Sequence, residues 1–377
     1  MLHKRTCTIC EALCGIIVEH DGARVTAIRG NPDDVFSRGH ICPKAVALQD
    51  LHEDPDRLRT PVRRVGDTWQ PISWEEAVEE VATRLHQTQT RYGRHAVGVY
   101  AGNPNAHSHS SLLAGIAFHT TLRSRTKFSA TSVDQLPHMY AALQMFGHQL
   151  MMPVPDLDRT HRLVVLGANP LVSNGSIMTT GGVGRRLADM QARGGKLVVI
   201  DPRRTETADK ADEFHYLRPG TDALLELAVI HTLFEEGLVA DGVWRTWTDG
   251  VDEVRRIAEP FAPERVAEAT GMAADTIRQL ARGQASAPSA VWYARFGACV
   301  QEFGGLAAWA GVVINVLTGN LDRPGGMMFA TPAVDLLGVA ARAGQKGHAA
   351  IWKSRVAGLP EFGGELPVAA LADEMLT

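Results

Sequence analysis

Four of the five cysteines lie near the start of this 377-residue chain, at Cys7, Cys10, Cys14 and Cys42. Their spacing is C-x2-C-x3-C-x27-C. Three thiolates on one tight loop can bind three corners of an iron–sulfur cubane, and a distant fourth can close it. Structural zinc sites typically use two C-x2-C knuckles, and bacterial ferredoxins use C-x2-C-x2-C. The spacing therefore predicts a [4Fe-4S] cluster, with a plain zinc-binding module as the alternative.

The residues beside the fourth cysteine suggest a further role. Pro43 suits the first position of a helix, because its missing N–H would be unpaired there anyway. Lys44 would then lie in the first turn, where the helix dipole disfavours a cation. An anionic cluster nearby would resolve that conflict, and a solvated surface lysine is the alternative. The fifth cysteine, Cys299, follows a strand-like segment and is typical of an inert core residue.

Short strands and turns are predicted around the cysteines. Residues 15–20 and 24–28 read as strands joined by an Asp21-Gly22 hairpin turn, which makes a small antiparallel lobe. A second hairpin is predicted over residues 62–65 and 69–72. Ser73 then begins a helix with Glu76 three residues later, the pattern of a capping box.

Strands and helices alternate farther along the chain. A short strand is predicted at residues 96–100 and a helix at 110–122. The most apolar strands are residues 163–166 and 196–200, with a helix at 184–193 between them. Such a unit is a right-handed βαβ crossover, so it predicts a parallel sheet. The predicted fold class is α/β: a small antiparallel iron–sulfur lobe followed by Rossmann-like parallel-sheet domains.

Polar residues follow the ends of the predicted parallel strands. Gly167 and Asn169 come directly after one strand, where open α/β sheets bind ligands, and a glycine there allows a phosphate to approach the backbone. Asp201 ends the next strand, and its carboxylate can accept hydrogen bonds from a ribose or from guanine. Asp222 is a second candidate. In the alternative interpretation Asp201 only ends a strand, and Thr221 or Asp222 only caps a helix.

Composition excludes several classes of protein. Hydrophobic residues make up 45% of the chain, charged residues 21%, and the formal net charge is -4. These are ordinary globular values, and neither a nucleic-acid partner nor membrane insertion is expected. The apolar residues 304–318 are too few to span a bilayer and predict a buried helix. Residues 1–5 run into the first cysteine without a signal-peptide pattern, so a cytoplasmic location is expected.

Taken together, the motifs of this sequence resemble the molybdopterin oxidoreductase superfamily of formate dehydrogenases, nitrate reductases and dimethyl sulfoxide reductase. Besides the cysteine spacing, the resemblance rests on Cys42-Pro43-Lys44, Ile72-Ser73-Trp74-Glu75-Glu76-Ala77, Gly167-Ala168-Asn169-Pro170, Asp201-Pro202-Arg203, Arg218-Pro219-Gly220-Thr221-Asp222 and Gly319-Asn320-Leu321-Asp322-Arg323-Pro324-Gly325-Gly326. It implies two cofactors, a [4Fe-4S] cluster and molybdenum or tungsten held by two pyranopterin guanine dinucleotides.

The resemblance also implies roles for individual residues. Lys44 matches the lysine that lies between the cluster and one pterin in the family. Gln301 matches a segment in which the family places a glutamine near the metal. The residues expected to bind the dinucleotide all lie in the quoted motifs: Gly167, Asn169, Asp201, Arg203, Gly220, Thr221 and Asp222.

One segment departs from the family pattern. The family usually supplies a protein ligand to the metal, often cysteine or selenocysteine, and the corresponding residues 128–140 contain no cysteine. Asp134 and Ser132 are the candidate oxygen ligands, because hard oxygen ligands suit a high-valent metal. His138 is a candidate acid or base. All three could instead be structural, with Ser132 or Asp134 capping the next helix.

The resemblance implies a division into domains. We expect an iron–sulfur domain at residues 1–60, a discontinuous α/β domain at 61–127 and 288–377, and a Rossmann-like guanine-dinucleotide domain at 128–287. The chain is about half the length of such relatives, so their C-terminal domain is expected to be absent.

The activity that the resemblance implies is oxidoreduction of a small molecule at the metal. Electrons would pass through the cluster to an electron-transfer protein or subunit. Two alternatives are a non-redox hydratase or transhydroxylase on the same scaffold, and a cofactor-poor electron-transfer or scaffold subunit. Retention of Asn169, Asp201, Arg203 and Asp222 argues against the scaffold subunit, because it needs no guanine site.

Overall fold

The computed structural model describes residues 1–376, apart from the side chains of residues 103, 104, 176 and 243. Its strands are, in chain order, β1 Leu2–Thr6, β2 Gly15–His20, β3 Val25–Gly30, β4 Val62–Val65, β5 Thr68–Pro71, β6 Val99–Ala101, β7 Lys127–Ser129, β8 Val154–Pro155, β9 Arg162–Leu166, β10 Lys196–Ile200, β11 Glu213–His215, β12 Ala290–Ala294, β13 Met327–Met328, β14 Ala349–Lys353 and β15 Pro360–Phe362.

The α-helices are α1 Pro43–Val46, α2 Leu48–Glu53, α3 Trp74–Tyr92, α4 His109–Leu122, α5 Leu136–Phe146, α6 Pro170–Ser173, α7 Val183–Ala192, α8 Asp222–Glu235, α9 Val251–Ala258, α10 Pro263–Thr270, α11 Ala274–Ser286, α12 Phe296–Cys299, α13 Gly304–Leu317, α14 Leu336–Arg342 and α15 Leu371–Leu376. Within residues 1–376 no helix is both long and apolar enough to cross a membrane.

The chain divides into two compact units. Unit 1 comprises residues 1–130, 179–181 and 349–377, and unit 2 comprises residues 131–178 and 182–348. Each is described separately below. The domain boundaries expected from the resemblance stay a prediction.

Unit 1 begins with the cysteine lobe, which we define as residues 1–53. Its sheet has the order β1-β2-β3, with both pairs antiparallel. Strand β2 starts directly after Cys14, and the chain returns from β3 through a loop to Cys42. The hairpin therefore brings the fourth cysteine back toward the loop that carries the first three. The rest of the unit holds smaller elements, including the β4–β5 hairpin and the parallel pair β6–β7.

Unit 2 is built on a four-stranded parallel sheet of order β11-β10-β9-β12. The apolar runs of β9, β10 and β12 explain this placement, because strands of a parallel sheet are covered on both faces. All five residues of β9 and of β12 are buried. Helices α8 and α13 belong to the same hydrophobic core. All strands point the same way, so their carboxyl ends lie along one edge.

Most sequence-predicted elements are confirmed within one or two residues. The antiparallel lobe, the parallel β9–β10 pair and the buried helix α13 are all present. The capping box of α3 forms fully: Ser73 Oγ accepts from Glu76 N at 3.1 Å, and Glu76 Oε2 accepts from Ser73 N at 3.0 Å. The strand predicted at residues 96–100 is shorter and later, because Arg94–Ala96 forms a 3-10 helix before β6. Strand β1 was not predicted from the sequence.

Candidate cofactor sites

The four predicted cluster ligands share one small apolar cluster in the cysteine lobe. Cys7 and Cys14 are buried, whereas Cys10 and Cys42 are partly exposed. The loop between the first and third cysteines is closed by a backbone hydrogen bond from Cys7 N to Cys14 O at 2.8 Å. Ala45 and Ile16 pack in the same cluster. The four cysteines thus lie in one apolar environment, which suits an iron–sulfur cluster.

The thiols also influence one another electrostatically. Burial first, and then the charges of Cys10, Cys7 and Cys42, raise the pKa of the Cys14 thiol to about 11. Burial is likewise the main cause that raises the pKa of the Cys7 thiol. In residues 1–376 no three His, Cys, Asp or Glu side chains converge as ligands of a single metal ion would. A cubane has one iron for each thiolate, so its ligands surround a volume instead of a point.

The segment after Cys42 partly matches its sequence interpretation. Cys42 is the N-cap residue of α1, and Pro43 occupies the first helical position, as predicted. However, α1 is only four residues long, and Lys44 lies in its last turn as well as its first. A single turn has little macrodipole, so the argument that the dipole disfavours Lys44 loses its force. Lys44 is exposed, and its role beside the cluster stays a prediction.

Most of the other predicted site residues line one cleft in unit 2, which we call the sheet-edge cleft. It has a volume of about 550 Å³ and lies at the carboxyl edge of the parallel sheet, where open α/β folds bind ligands. The predicted residues that line it are Asp134, Gly167, Asn169, Asp201, Arg203, Gly220, Asp222 and Gln301. The predicted residues of unit 2 that do not line it are Ser132, His138 and Thr221.

The cleft lining requires glycine at two positions, one directly after β9 and one in α12. Gly167 has φ +60°, and a Cβ there would lie 2.7 Å from the backbone nitrogen of Ala298. Gly297 N donates to Gly167 O at 2.8 Å, and a Cβ on Gly297 would lie 2.9 Å from that oxygen. The residue after β9 and helix α12 therefore touch through backbone without side chains between them. A phosphate or pterin group can approach this surface closely.

Asn169, which follows β9, is hydrogen-bonded to two residues of the connection between β10 and β11. Its Oδ1 accepts from Thr207 Oγ1 at 2.7 Å, and its Nδ2 donates to Glu206 Oε2 at 2.7 Å. Arg203 makes a long, exposed ion pair with Glu206 at 3.7 Å. Asn169 thus shapes the cleft wall, and Arg203 is an exposed cation at its rim.

Two carboxylates form the acidic part of the cleft. Asp201 Oδ1 accepts from Arg203 N at 2.9 Å, yet partial burial raises the pKa of Asp201. Asp222 is only 6% exposed, and its pKa is raised to about 6, first by burial and then by the charge of Asp201. Two desolvated carboxylates are a favourable partner for the adjacent N–H donors of a guanine.

Helix capping does not account for these acidic and threonine side chains. Thr221 is the N-cap residue of α8, but its side chain makes no capping hydrogen bond and donates to Arg218 O at 2.7 Å. Asp222 is the first helical residue. Gly220 adopts φ +80° in the turn before them, a conformation that favours glycine.

Asp134 forms an ion pair that the sequence interpretation did not include. Its Oδ1 lies 2.8 Å from Nη2 of Arg295, which is 1% exposed and also lines the cleft. The N-cap residue of α5 is Gln135, so neither Ser132 nor Asp134 occupies the capping position of that helix. The role of Asp134 as a metal ligand stays a prediction. Arg295 could have been found in the sequence, because it directly follows an apolar strand, as Asp201 does.

His138 is held in the core beside the fifth cysteine. Its Nε2 lies 2.8 Å from Ala294 O, and its Nδ1 lies 3.1 Å from Cys299 Sγ. A carbonyl can only accept, so Nε2 carries the proton and the Cys299 thiol donates to Nδ1. Burial, and then Arg295, lowers the pKa of His138 to about 4, and burial raises the pKa of Cys299 to about 12. Both side chains are therefore neutral, and the burial expected for Cys299 is confirmed.

Gln301 lies at the cleft wall in a local network. Its Nε2 donates to Ala298 O at 3.1 Å, and its Oε1 accepts from Phe303 N at 3.1 Å. Sequence reasoning also missed Glu226, which lies one turn after Asp222 on α8. It is fully buried and accepts from Trp292 Nε1 at 2.8 Å. Burial raises its pKa well above the usual carboxyl value.

Comparison with known families matches nearly the whole chain. Residues 2–52 match the molybdopterin oxidoreductase Fe4S4 domain, and residues 57–366 match the molybdopterin oxidoreductase domain. The chain belongs to the molybdopterin oxidoreductase family. The fold class and the two cofactor types predicted from the sequence are thereby confirmed.

Individual relatives agree with this assignment. The chain is 28% identical to the thiosulfate reductase molybdopterin-containing subunit PhsA of Salmonella typhimurium, over 85% of this chain and 41% of the relative. It is 28% identical to formate dehydrogenase H of Escherichia coli, over 84% of this chain and 44% of the relative. The fold resembles that of acetylene hydratase from Pelobacter acetylenicus, with a TM-score of 0.76 and 24% identity, over 88% of this chain and 45% of that one. The chain thus spans less than half the length of these relatives.

Proposed function

We propose that this chain is the cofactor-binding part of a molybdenum or tungsten oxidoreductase with two pyranopterin guanine dinucleotides. It would pass electrons between a small-molecule substrate at the metal and a [4Fe-4S] cluster, and from there to an electron-transfer protein. The observation that carries this proposal is the convergence of eight separately predicted residues on the sheet-edge cleft.

Different regions of the chain would serve the two cofactors. Cys7, Cys10, Cys14 and Cys42 would hold the cluster, since all four pack in one apolar group of side chains. Asp201 and Asp222 would accept hydrogen bonds from guanine, and Gly167 and Gly297, which line the cleft without side chains, would let the rest of the dinucleotide approach the backbone. The bound metal would supply the two-electron chemistry. The chain's own residues bind, orient and shield that group.

The proposal is tested by chemical analysis and a redox assay on one preparation. Anaerobically purified protein should contain about four irons per chain, as a cubane requires. It should also release guanine nucleotide on acid denaturation and reduce or oxidise a viologen dye with an added small substrate. Iron without guanine nucleotide would contradict the assignment of the sheet-edge cleft. Zinc in place of iron under iron-replete expression would contradict the cluster.

A non-redox hydratase is the second candidate. Residues 128–140 contain no cysteine, and a relative of 28% identity over 73% of this chain is named acetylene hydratase, from Syntrophotalea acetylenica. The two candidates differ in one measurement. An oxidoreductase changes the oxidation state of the cluster when substrate is added, whereas a hydratase turns over with the cluster spectrum unchanged.

A further inference from the structure

One cation of the sheet-edge cleft is buried. Arg295 is 1% exposed, although it lines the cleft at the end of β12. Nη2 of Arg295 lies 2.8 Å from Oδ1 of Asp134, and the side chain of Asp134 is 38% exposed. Burying a guanidinium is costly unless charged or polar partners surround it. An anionic ligand in the cleft would add such a partner.

The order of the strands separates this cation from the acidic residues. Along the carboxyl edge the order is β11, β10, β9 and β12. Asp201 follows β10, whereas Arg295 follows β12, two strands away, or about 10 Å at the usual strand spacing. Gly167 lies between them at the end of β9. This separation is comparable with the distance from a guanine base to its 5′-phosphate group.

The other cations that line the cleft are less suited to hold a phosphate. Arg218 Nη1 already donates to the carbonyls of Glu268 and Ala269, both at 3.1 Å. The side chain of Arg203 is 66% exposed, and its backbone nitrogen donates to Asp201, in the acidic part of the cleft. Helix dipoles contribute little, because α6 and α12 are each four residues long. Of the three arginines that line the cleft, Arg295 is therefore the best placed to neutralise the charge of a phosphate group.

We propose that Arg295 binds the phosphate groups of the guanine dinucleotide, and that Asp134 is the positioning residue that orients Arg295. This inference rests on the proposed function of the cleft. A planar guanidinium presents five N–H donors in a fixed fork that matches a phosphate. The ion pair between Asp134 Oδ1 and Arg295 Nη2 limits rotation of the guanidinium group. Guanine is recognised by the acidic residues, and phosphate by the buried cation at the other end.

The test compares two probes on the cofactor-free 377-residue chain by isothermal titration calorimetry. Guanosine carries the base without phosphate, and guanosine diphosphate carries both. Wild type should bind the diphosphate more tightly than guanosine. In Arg295→Met, affinity for the diphosphate should fall about ten- to hundredfold, the usual effect of losing hydrogen bonds to a charged group. Affinity for guanosine should stay unchanged.

A matched control is available in the same unit. Arg186 is another buried arginine, 9% exposed, and it pairs with Asp158, whose side chain is also 38% exposed; neither residue lines the cleft. Arg186→Met should leave the ratio of diphosphate to guanosine affinity at the wild-type value. Arg295→Lys should keep part of the ratio, and Asp134→Asn should lower it less than Arg295→Met. If Arg295→Met fails to fold by circular dichroism, these two variants carry the test.

The outcomes distinguish failure of the guanine site from failure of the role of Arg295. If wild type binds neither probe, the proposed guanine site is wrong. If guanosine binds but Arg295→Met and Asp134→Asn keep the wild-type ratio, the guanine site stands and the role of Arg295 is overturned. If, in addition, nitrate or formate binds the chain only when Arg295 is present, the residue serves a small oxyanion instead of the dinucleotide.

Discussion

The cysteine lobe and the sheet-edge cleft are assembled in opposite ways. The lobe takes its four predicted ligands from residues 7–42, and a single hairpin brings them together. The cleft takes its lining from five regions of the chain, from Asp134 to Gln301. In the cleft, neighbours in space are separated by more than 100 residues, as Asp134 and Arg295 are.

This difference decides which details sequence reasoning could reach. In the lobe, the spacing of the cysteines in the sequence is enough to predict that they lie together, because three of them are on one short loop. In the cleft, Gly167, Asn169 and Asp201 were identified after predicted strands and the other residues from the family motifs, and only the sheet order relates one to another. The ion pair between Asp134 and Arg295 is a contact of this second kind. Changes in the two regions should therefore have separable effects.

The largest expected effect is loss of the cluster from the cysteine lobe. Cys42→Ser should bleach the protein and remove most of its iron, because a hydroxyl does not replace the fourth thiolate well. Cys299→Ser is the matched control: it lies in unit 2 beside His138 and should retain full iron content. Iron per folded chain and the visible absorption spectrum are the measurements. Equal iron in Cys42→Ser and wild type would exclude Cys42 as a ligand.

The next effect concerns guanine in the sheet-edge cleft. Asp201→Ala leaves donors of the base unpaired and should cost about 1 to 3 kcal/mol of affinity, roughly a tenfold to hundredfold weakening. The iron content should not change, since the cysteine lobe is built from other residues. Released guanine nucleotide and iron are measured on the same sample. If both Asp201→Ala and Asp222→Ala retain guanine fully, the two carboxylates do not bind the base.

Asp222 should make the stability of the folded chain depend on pH. Its pKa of about 6 in the folded chain lies above the usual carboxyl value, because the side chain is buried near Asp201. The folded, cofactor-free chain therefore holds this proton more tightly than the unfolded chain. Its stability should fall by up to about 3 kcal/mol as pH rises from about 4 to about 6.

Guanosine should show the opposite trend, with tighter binding above pH 6, where Asp222 is ionised and accepts from the base. Asp222→Asn should abolish the fall in melting temperature between pH 4 and 6. A wild-type melting curve that is flat over this range, after correction with the Asn variant, would show that Asp222 titrates normally.

A smaller effect is expected in the core beneath the acidic residues. Glu226 accepts from Trp292 Nε1 at 2.8 Å, and burial raises its pKa well above the usual carboxyl value. Glu226→Ala leaves the indole N–H unpaired and should lower the free energy of unfolding by about 1 to 3 kcal/mol or more. Glu226→Gln keeps an acceptor of the same shape and should cost less. Thermal melts of both variants check this, and equal losses would point to packing in place of the hydrogen bond.

The smallest expected effect is that of Lys44. Lys44→Met should preserve the cluster and change stability little, because the side chain is exposed. The reduction potential of the cluster should become lower, since a stabilising positive charge is lost, and electron exchange with the metal should slow. Redox titration monitored by electron paramagnetic resonance measures the potential. Wild-type values for both quantities would make Lys44 an ordinary surface residue.

The sequence predicted the local parts of both regions well. Strands β2, β4 and β10 have the bounds that their apolar patterns indicate, and the capping box of α3 forms as its spacing requires. Strand β1 was missed because its residues, Leu2-His3-Lys4-Arg5-Thr6, are mostly polar and exposed. It forms through its antiparallel pairing with β2, which no local pattern records.

The sequence by itself determined the cysteine spacing, the strand-end aspartates and glycines, and thereby the family and its cofactor types. The cytoplasmic location and the electron-transfer partner remain predictions. Only the tertiary structure decided that α1 is a single turn, that His138 is neutral and paired with Cys299, and that Asp134 holds Arg295. The physical reason is distance along the chain: motif spacing and hydrophobic patterns report on residues that are close in the sequence. Burial and charge pairing depend on which distant strands become neighbours.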